Sequence, residues 1–384
     1  MNFEFATASK IVFAPGCLAT ITSHIQDFGS KALIVCGSRL ETPKYLKDIL
    51  DTHGIESNFY QVSGEPDVET IQRGVNLVPS EKSNFIIGIG GGSVLDAGKA
   101  IAALATNSGD IFDYMEVIGK GKPLTNSPIP YVAIPTTAGT GSEVTRNAVI
   151  SSPEYHVKVS LRSSMMLPRL ALIDPELTCS LPPEITANTG LDALTQLIEP
   201  FLSPGSNPIT DAICRSGIQM VAGSIVQAYE MGSDINAREQ MALASLFGGI
   251  ALANAKLGAV HGFSGPLGGL LSAPHGAICA RLLPIVMQVN LNTLLSRNPS
   301  SNILERFEEI AILLTGNPSA KPEDGINWLH SICQRLKIKP LGEYGLTPHD
   351  FSIIIEQAAV ASSMKGNPVS LKFDEMYEIL NQAL

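Results

Sequence analysis

Four short, almost uninterrupted apolar runs, spaced by amphipathic stretches, limit what the first half of this chain can fold into. The runs are KALIVCG (31–37), SNFIIGIG (83–90), YVAIPTT (131–137) and RLALIDP (169–175). A strand that is apolar at every position rather than every second one has both faces covered, as in a parallel sheet packed between helices. The intervening stretches TPKYLKDILDTHG, DVETIQRGVNLV and VLDAGKAIAALATN carry helical patterning. Strand–helix alternation of this kind predicts a doubly wound α/β domain. After Leu181-Pro182-Pro183 the rhythm changes. From Glu184 onward no convincing strand follows, only helix-period segments such as ITDAICRSGIQMVAGSIVQAYEM, REQMALASLFGGIALANAKLG, NILERFEEIAILL and DGINWLHSICQRLKI, separated by Pro- and Gly-rich breaks. The expected division is an α/β domain over residues 1–182 and an all-helical domain over 183–384.

Composition narrows the function classes. A chain of 384 residues with 45% hydrophobic and 16% charged side chains buries sizeable cores and is not disordered. A net charge of -10 excludes a nucleic-acid partner, which requires clustered Lys and Arg. No uninterrupted apolar run of membrane-spanning length occurs, and the N-terminus lacks the pattern of a signal peptide, so no membrane role and a cytoplasmic location are expected. The six cysteines, Cys17, Cys36, Cys179, Cys214, Cys279 and Cys333, form no CxxC pair and are expected as reduced thiols.

The segment IIGIGGGSVLDAGKAIA places Gly90, Gly91, Gly92 and Ser93 between a strand ending at Ile89 and a helix starting near Val94. Glycines permit close backbone approach and positive φ, and the new helix directs free N–H groups at an anion. A second polar turn, Thr136-Thr137-Ala138-Gly139-Thr140-Gly141-Ser142-Glu143, follows the strand YVAIP. In an open α/β sheet both turns lie beyond strand carboxyl ends, where a dinucleotide binds, although helix capping also explains the threonines. In the helical half, Asp192 and Gln196 are four residues apart and share a helix face. His261 and His275 are fourteen apart within one Gly-rich segment, so to hold one ion the chain must turn back between them. Gly265, Pro266, Gly268, Gly269 and Pro274 are the expected turn formers. His24, His53, His156, His330 and His349 are read as structural. Spacing alone leaves a metal site open.

Those residues carry a family resemblance over nearly the whole chain. FAPG (13–16), GGGSVLDAGKA (90–100), IPTTAGTGSEVT (134–145), LIDPELT (172–178), GLDAL (190–194) and the HG…PHG pair resemble the iron-containing (group III) alcohol dehydrogenases, relatives of glycerol dehydrogenase and dehydroquinate synthase. The resemblance implies a dehydroquinate synthase-like fold, an α/β N-terminal dinucleotide-binding domain plus an all-α C-terminal domain, assembled as a homodimer or larger. It implies that Gly91, Gly92 and Ser93 hold the pyrophosphate, that Thr136, Thr137 and Thr140 line the cofactor cleft, and that Asp96 and Lys99 match the family's Asp and Lys of the same helix. Asp192, His261 and His275 fall on three of four metal-ligand positions and become the catalytic set, with one divalent ion, Fe(II) or Zn(II), acting as Lewis acid on a small alcohol or aldehyde.

Three departures from the family pattern stand out. Gln196 replaces a histidine ligand and is expected as a weak fourth ligand or an outer donor. Gly265 stands where a histidine often relays protons, leaving solvent or hydroxyls such as Ser264 to substitute. At the end of the first strand of the dinucleotide fold, Gly37, Ser38 and Arg39 replace an acidic residue that would bind a ribose 2′-hydroxyl, favouring NADP with NAD as the alternative. Phe201, Phe263 and Leu267 hint at an apolar substrate. The rival readings are a metal-independent reductase resembling maleylacetate reductase, a lyase like dehydroquinate synthase, and a non-catalytic cofactor-binding protein with a decayed metal site.

Overall fold

Residues 2–155 and 157–384 are described by the computed structural model; His156, read above as structural, lies outside them. The chain divides into two compact units. One comprises Ala6–Thr137 and Gly141–Ser180; the other comprises Leu181–Leu384, to which Ala138–Thr140 and the segment ending at Phe5 belong.

The first unit contains β1 (Ile11–Phe13), β2 (Lys31–Cys36), α1 (Glu41–Thr52), β3 (Glu56–Gln61), α2 (Val68–Ser80), β4 (Phe85–Gly90), α3 (Gly92–Leu104), β5 (Tyr131–Pro135), β6 (Asn147–Ser152), β7 (Val157–Arg162) and β8 (Leu170–Ile173). Six strands form one sheet in the order β1-β8-β5-β4-β2-β3, every neighbouring pair parallel. The apolar runs have the two-sided burial their sequence requires. In β2, Leu33 and Val35 pack with Ile71 of α2 and Ile101 of α3, while Ala32, Ile34 and Cys36 pack on the other face with Leu46 and Leu50 of α1. Each such large aliphatic side chain stabilises the fold by about 1.5–3 kcal/mol when fully buried.

The elements that sequence patterning did not reveal are those with half-covered faces. β3 reads ESNFYQ and is an edge strand, mostly exposed or half-buried. β1 is only three residues long at the other edge. β6 and β7 form a separate antiparallel pair, with β6 alternating half-buried and buried positions.

The second unit is helical: α4 (Pro183–Leu202), α5 (Pro208–Glu230), α6 (Ile235–Asn254), α7 (Ala259–Leu270), α8 (His275–Arg297), α9 (Ile303–Thr315), α10 (Pro322–Arg335), α11 (Phe351–Val360) and α12 (Phe373–Ala383). No strand follows β8 among the described residues. The change of rhythm at Pro182-Pro183 has a local cause. Pro182 is the extended N-cap of α4, and Pro183 occupies the first helical position, where its missing N–H costs nothing. From Thr186 to Leu202 every residue of α4 except Thr189 is buried, so polar groups on it are held away from water. α8 is long and apolar enough to cross a membrane, yet 78% of its most apolar window is buried inside the protein, as in a core helix.

Candidate functional site

The helical unit brings four ligand-type side chains together. Asp192 on α4, His261 in the first turn of α7, and His275 and Cys279 in the first turns of α8 have donor atoms all within 4.8 Å of one another. Asp192 Oδ1 lies 3.5 Å from His261 Nε2 and 3.8 Å from His275 Nε2. The two imidazole centroids are 5.6 Å apart. Asp192 is 1% exposed and His261 7%, whereas the His275 side chain is 37% exposed, so the cluster is buried on three sides and open at His275.

The chain does turn back between the histidines, but not at the expected glycines. Gly265, Pro266, Gly268 and Gly269 all lie inside α7, and the reversal is confined to residues 271–274. From His261 to Leu270 a helix advances about 13.5 Å. The extended return to His275, with Leu271 at ψ 151° and Pro274 at ψ 141°, can span about 16 Å, which suffices to bring the second imidazole back to the first.

Two features absent from the sequence reading complete the site. Cys279 is one turn past His275 on α8, with Sγ 3.6 Å from His275 Nε2 and 3.9 Å from His261 Nε2. Its i, i+4 relation to His275 was the available signal. Glu199 lies two turns past Asp192 on α4 and is 6% exposed. Its Oε2 is 2.6 Å from His261 Nδ1, and its Oε1 accepts from the backbone N–H of Val260 at 2.7 Å. The same carboxylate therefore neutralises free N–H groups at the start of α7 and holds His261 with a proton on Nδ1, leaving Nε2 as the lone-pair donor facing Asp192. An acid on a buried helix face has no distinctive sequence signature.

Electrostatics favours a cation here. Burial pushes the Asp192 carboxyl up, but the imidazoles of His275 and His261 more than reverse this and leave it lowered. Burial pushes both imidazoles towards neutrality; for His261 the Cys279 sulfur and Glu199 outweigh it, and for His275 the Cys279 sulfur and Asp192 do, so both are raised. Asp192 Oδ1 and, one turn on, Gln196 Oε1 are buried without a hydrogen-bond donor. Unsatisfied buried acceptors are costly in a native core, and a divalent ion between a carboxylate and two imidazoles supplies the missing partner. The donor set fits Fe(II) or Zn(II).

In the α/β unit the strand order reverses about β2. The chain steps from β2 to β3 on one side, then crosses to β4 on the other. Ligands of open α/β sheets bind at such a switch point, beyond the carboxyl ends of the strands. Gly37, Ser38 and Arg39 follow β2; Gly91, Gly92 and Ser93 follow β4; Thr136 and Thr137 follow β5. Thr136 N–H donates to Gly90 O at 2.9 Å, which ties the second and third loops together.

Of the glycines between β4 and α3, Gly90 works by small size rather than unusual backbone. None of Gly90, Gly91 and Gly92 has positive φ. The strand runs to Gly90 and the helix starts at Gly92, leaving Gly91 alone as an extended N-cap. A Cβ on Gly90 would sit 2.7 Å from Val94 Cβ, and one on Gly91 would meet Thr137 at 3.5 Å. Asp96 and Lys99 are braces. Asp96 accepts from Ser142 Oγ and Val149 N–H. Lys99, 1% exposed, donates to Ser142 O, Ser142 Oγ, Thr145 Oγ1 and Asn147 O at 2.7–3.0 Å. Both carboxylate oxygens of Asp96 are thus engaged by the protein itself. Thr140 belongs with Ala138 and Gly139 to the helical unit, apart from Thr136 and Thr137.

Two further readings change. Phe201, Phe263 and Leu267 are fully buried core residues, and the Phe201 ring lies under the guanidinium groups of Arg215 and Arg306 at 5.1 and 4.8 Å, so none lines a substrate pocket. Ser264 is buried and its hydroxyl donates to His261 O at 3.1 Å, which removes it as a proton relay. Gly265 leaves open space, since an added Cβ there meets no atom within 4 Å. Outside the cluster, His24 Nδ1 meets Lys10 Nζ at 3.0 Å and His53 Nδ1 meets Ile49 O at 2.9 Å.

Known proteins match this chain over its whole length. Residues 8–175 match the model of the iron-containing alcohol dehydrogenases, and residues 186–384 that of the Fe-containing alcohol dehydrogenase family, C-terminal. The chain is 36% identical to alcohol dehydrogenase 4 of Saccharomyces cerevisiae (strain YJM789), covering 97% of this chain and 96% of that one. It is 32% identical to the NAD-dependent methanol dehydrogenase of Bacillus methanolicus over the full length of both. The crystal structure of a 1,3-propanediol oxidoreductase superposes with a TM-score of 0.93 at 33% identity, covering 100% of each chain. With its parallel-sheet nucleotide unit, its helical unit and matches over both, the chain belongs to the iron-containing alcohol dehydrogenase family.

Proposed function

We propose that this chain is a metal-dependent alcohol dehydrogenase that transfers a hydride between a nicotinamide dinucleotide and a small alcohol or aldehyde. The observation that carries the reading is the convergence of Asp192, His261 and His275 around a buried carboxylate oxygen that has no hydrogen-bond donor. When bound, the divalent ion supplies Lewis acidity at the substrate oxygen and the nicotinamide gives or accepts the hydride. The protein's part is position and electrostatics. Asp192 and the two histidines hold the charge, Glu199 fixes the His261 tautomer, and the open side at His275 admits substrate. Gly91, Gly92 and Ser93 offer backbone N–H groups at the start of α3 to the pyrophosphate. A metal-independent reductase has no use for the buried, unpartnered Asp192 oxygen.

Cofactor choice follows from Gly37, Ser38 and Arg39. With no carboxylate at the end of β2, and an exposed guanidinium in its place, the site accepts the 2′-phosphate of NADP(H) and is expected to use it in preference to NAD(H). The enzyme works in the cytoplasm as a homodimer or larger assembly; the cytoplasmic part of this reading is supported by six cysteines in the thiol form, which suit a reducing compartment. The test is to follow NADPH and NADH oxidation by the purified protein against a panel of short aldehydes, and the reverse reaction with the corresponding alcohols. Oxidation of either cofactor that depends on aldehyde supports the reading. No turnover in either direction with any pair refutes it.

A further inference from the structure

We infer that Cys279 Sγ is a ligand of the metal ion, making the site Asp192–His261–His275–Cys279 and shifting its preference from Fe(II) to Zn(II). The inference rests on the metal-dependent reading above and extends it to a residue outside the Asp/His set. The donor–donor separations match those of a coordination polyhedron. With zinc–nitrogen and zinc–oxygen bonds near 2.1 Å and a zinc–sulfur bond near 2.3 Å, tetrahedral edges are about 3.4 Å between N and O and about 3.6 Å between S and N. The corresponding separations are 3.5 and 3.8 Å for Asp192 Oδ1 to the two Nε2 atoms. They are 3.6 and 3.9 Å for Cys279 Sγ to the same atoms. Four of the six donor–donor separations thus lie within about 0.4 Å of tetrahedral edges, and all six are under 4.8 Å.

Gln196 is the rival for the fourth position, and its placement argues against it. It is one turn from Asp192 on α4, and its Oε1 lies beside Gly248 of α6, 3.4 Å from where a Cβ on that glycine would stand. Cys279, by contrast, stands one turn past His275 on α8 and is fully buried. A sulfur donor is soft: it binds zinc well and adds less to Fe(II) than the imidazole it stands in for. On binding, the Sγ–H proton leaves to solvent as the sulfur–metal bond forms. The substrate oxygen would reach the ion as a fifth donor from the side of His275, 37% exposed.

The test uses the full-length protein loaded with Co(II), a spectroscopic stand-in for zinc. The expected result is one cobalt per chain, with a sulfur-to-cobalt charge-transfer band in the near-ultraviolet beside the visible d–d bands. In Cys279→Ser the d–d bands persist, the charge-transfer band disappears, and zinc-over-iron selectivity in a competition titration falls at least about tenfold. X-ray absorption of the zinc-loaded wild type, which needs no variant, is expected to show one sulfur at about 2.3 Å. Cobalt bound with d–d bands but no charge-transfer band, or a zinc shell of only nitrogen and oxygen, overturns the assignment of Cys279 and leaves the Asp192/His261/His275 site standing. An unchanged charge-transfer band in Cys279→Ser overturns it too. Failure to bind any divalent ion overturns both.

Discussion

Replacing Glu199 by Gln is the perturbation whose consequence the structure defines most fully. The side chain keeps its size, but one oxygen becomes an NH2 group. In the native site, Oε1 receives the Val260 N–H at 2.7 Å and Oε2 faces His261 Nδ1 at 2.6 Å, with both partners almost fully buried. Either orientation of the amide meets a conflict. If its oxygen stays on His261, its NH2 faces the Val260 N–H at the start of α7. If it flips, its NH2 donates to Nδ1, which forces the proton onto Nε2, the atom that must face the metal. At best one charge-assisted hydrogen bond is lost, worth about 1.5–3 kcal/mol when buried. That corresponds to roughly 10- to 100-fold in metal affinity, the range typical of groups that orient a ligating histidine. The assay is competition for Zn(II) against a chelator of known affinity, with Glu199→Asp as a partial rescue. Metal affinity within about threefold of wild type in Glu199→Gln, with the fold intact, would refute the claim that this carboxylate sets the His261 tautomer.

Four other substitutions probe separate parts of the account. Arg39→Ala is expected to lower kcat/KM for NADPH roughly 10- to 100-fold while leaving NADH within about threefold, since the lost contact is to a phosphate only one of them carries; equal effects on both would remove Arg39 from cofactor selection. Glu143 is buried, and burial, only partly offset by its backbone hydrogen bond and by Lys99, pushes its carboxyl up from 4.5 to about 7. The folded state therefore binds the proton more tightly than the unfolded one, and wild-type stability falls as pH rises from about 4.5 to about 7. Glu143→Gln escapes this loss, so its stability advantage should grow by on the order of 3 kcal/mol between pH 4.5 and 7.5 in urea unfolding, and a pH-independent difference would contradict the burial argument. Gly366→Ala and Gly265→Ala are expected to have opposite signs. A Cβ at Gly366 would lie 1.9 Å from Leu257 O, costing about 3 kcal/mol of stability, whereas Gly265 sits in α7 facing open space, where alanine gains up to about 1 kcal/mol in the same unfolding assay.

What the sequence revealed and concealed divides along physical lines. β2, β4, β5 and β8 were visible because burial on both faces demands continuous apolar residues, and α1 and α2 because each buries one stripe. β3, β1 and the β6–β7 pair were not, because an edge or one-sided strand tolerates polar residues such as those of ESNFYQ. The glycines of residues 265–269 suggested a turn, yet packing holds them in α7 despite their low helix propensity; tertiary burial overrode a weak local preference. His261 and His275 stood out by residue type and a shared Gly-rich segment. Cys279 and Glu199 did not, because a thiol or an acid on a buried helix looks the same in sequence whether it packs, caps or ligates. Phe201, Phe263 and Leu267 show the converse error, in which proximity along the chain to the site residues suggested a pocket lining for side chains that belong to the core.

The central claim is that hydride transfer by this chain requires a divalent ion at Asp192, His261 and His275. The most direct measurement is to strip the purified protein with a chelator, titrate Zn(II) or Fe(II) back in, and record bound metal and aldehyde-dependent NAD(P)H oxidation on the same samples. The account predicts negligible turnover in the stripped protein and activity rising in proportion to occupancy up to one ion per chain, with neither seen in Asp192→Asn. Full turnover after thorough chelation, or in Asp192→Asn, would contradict it.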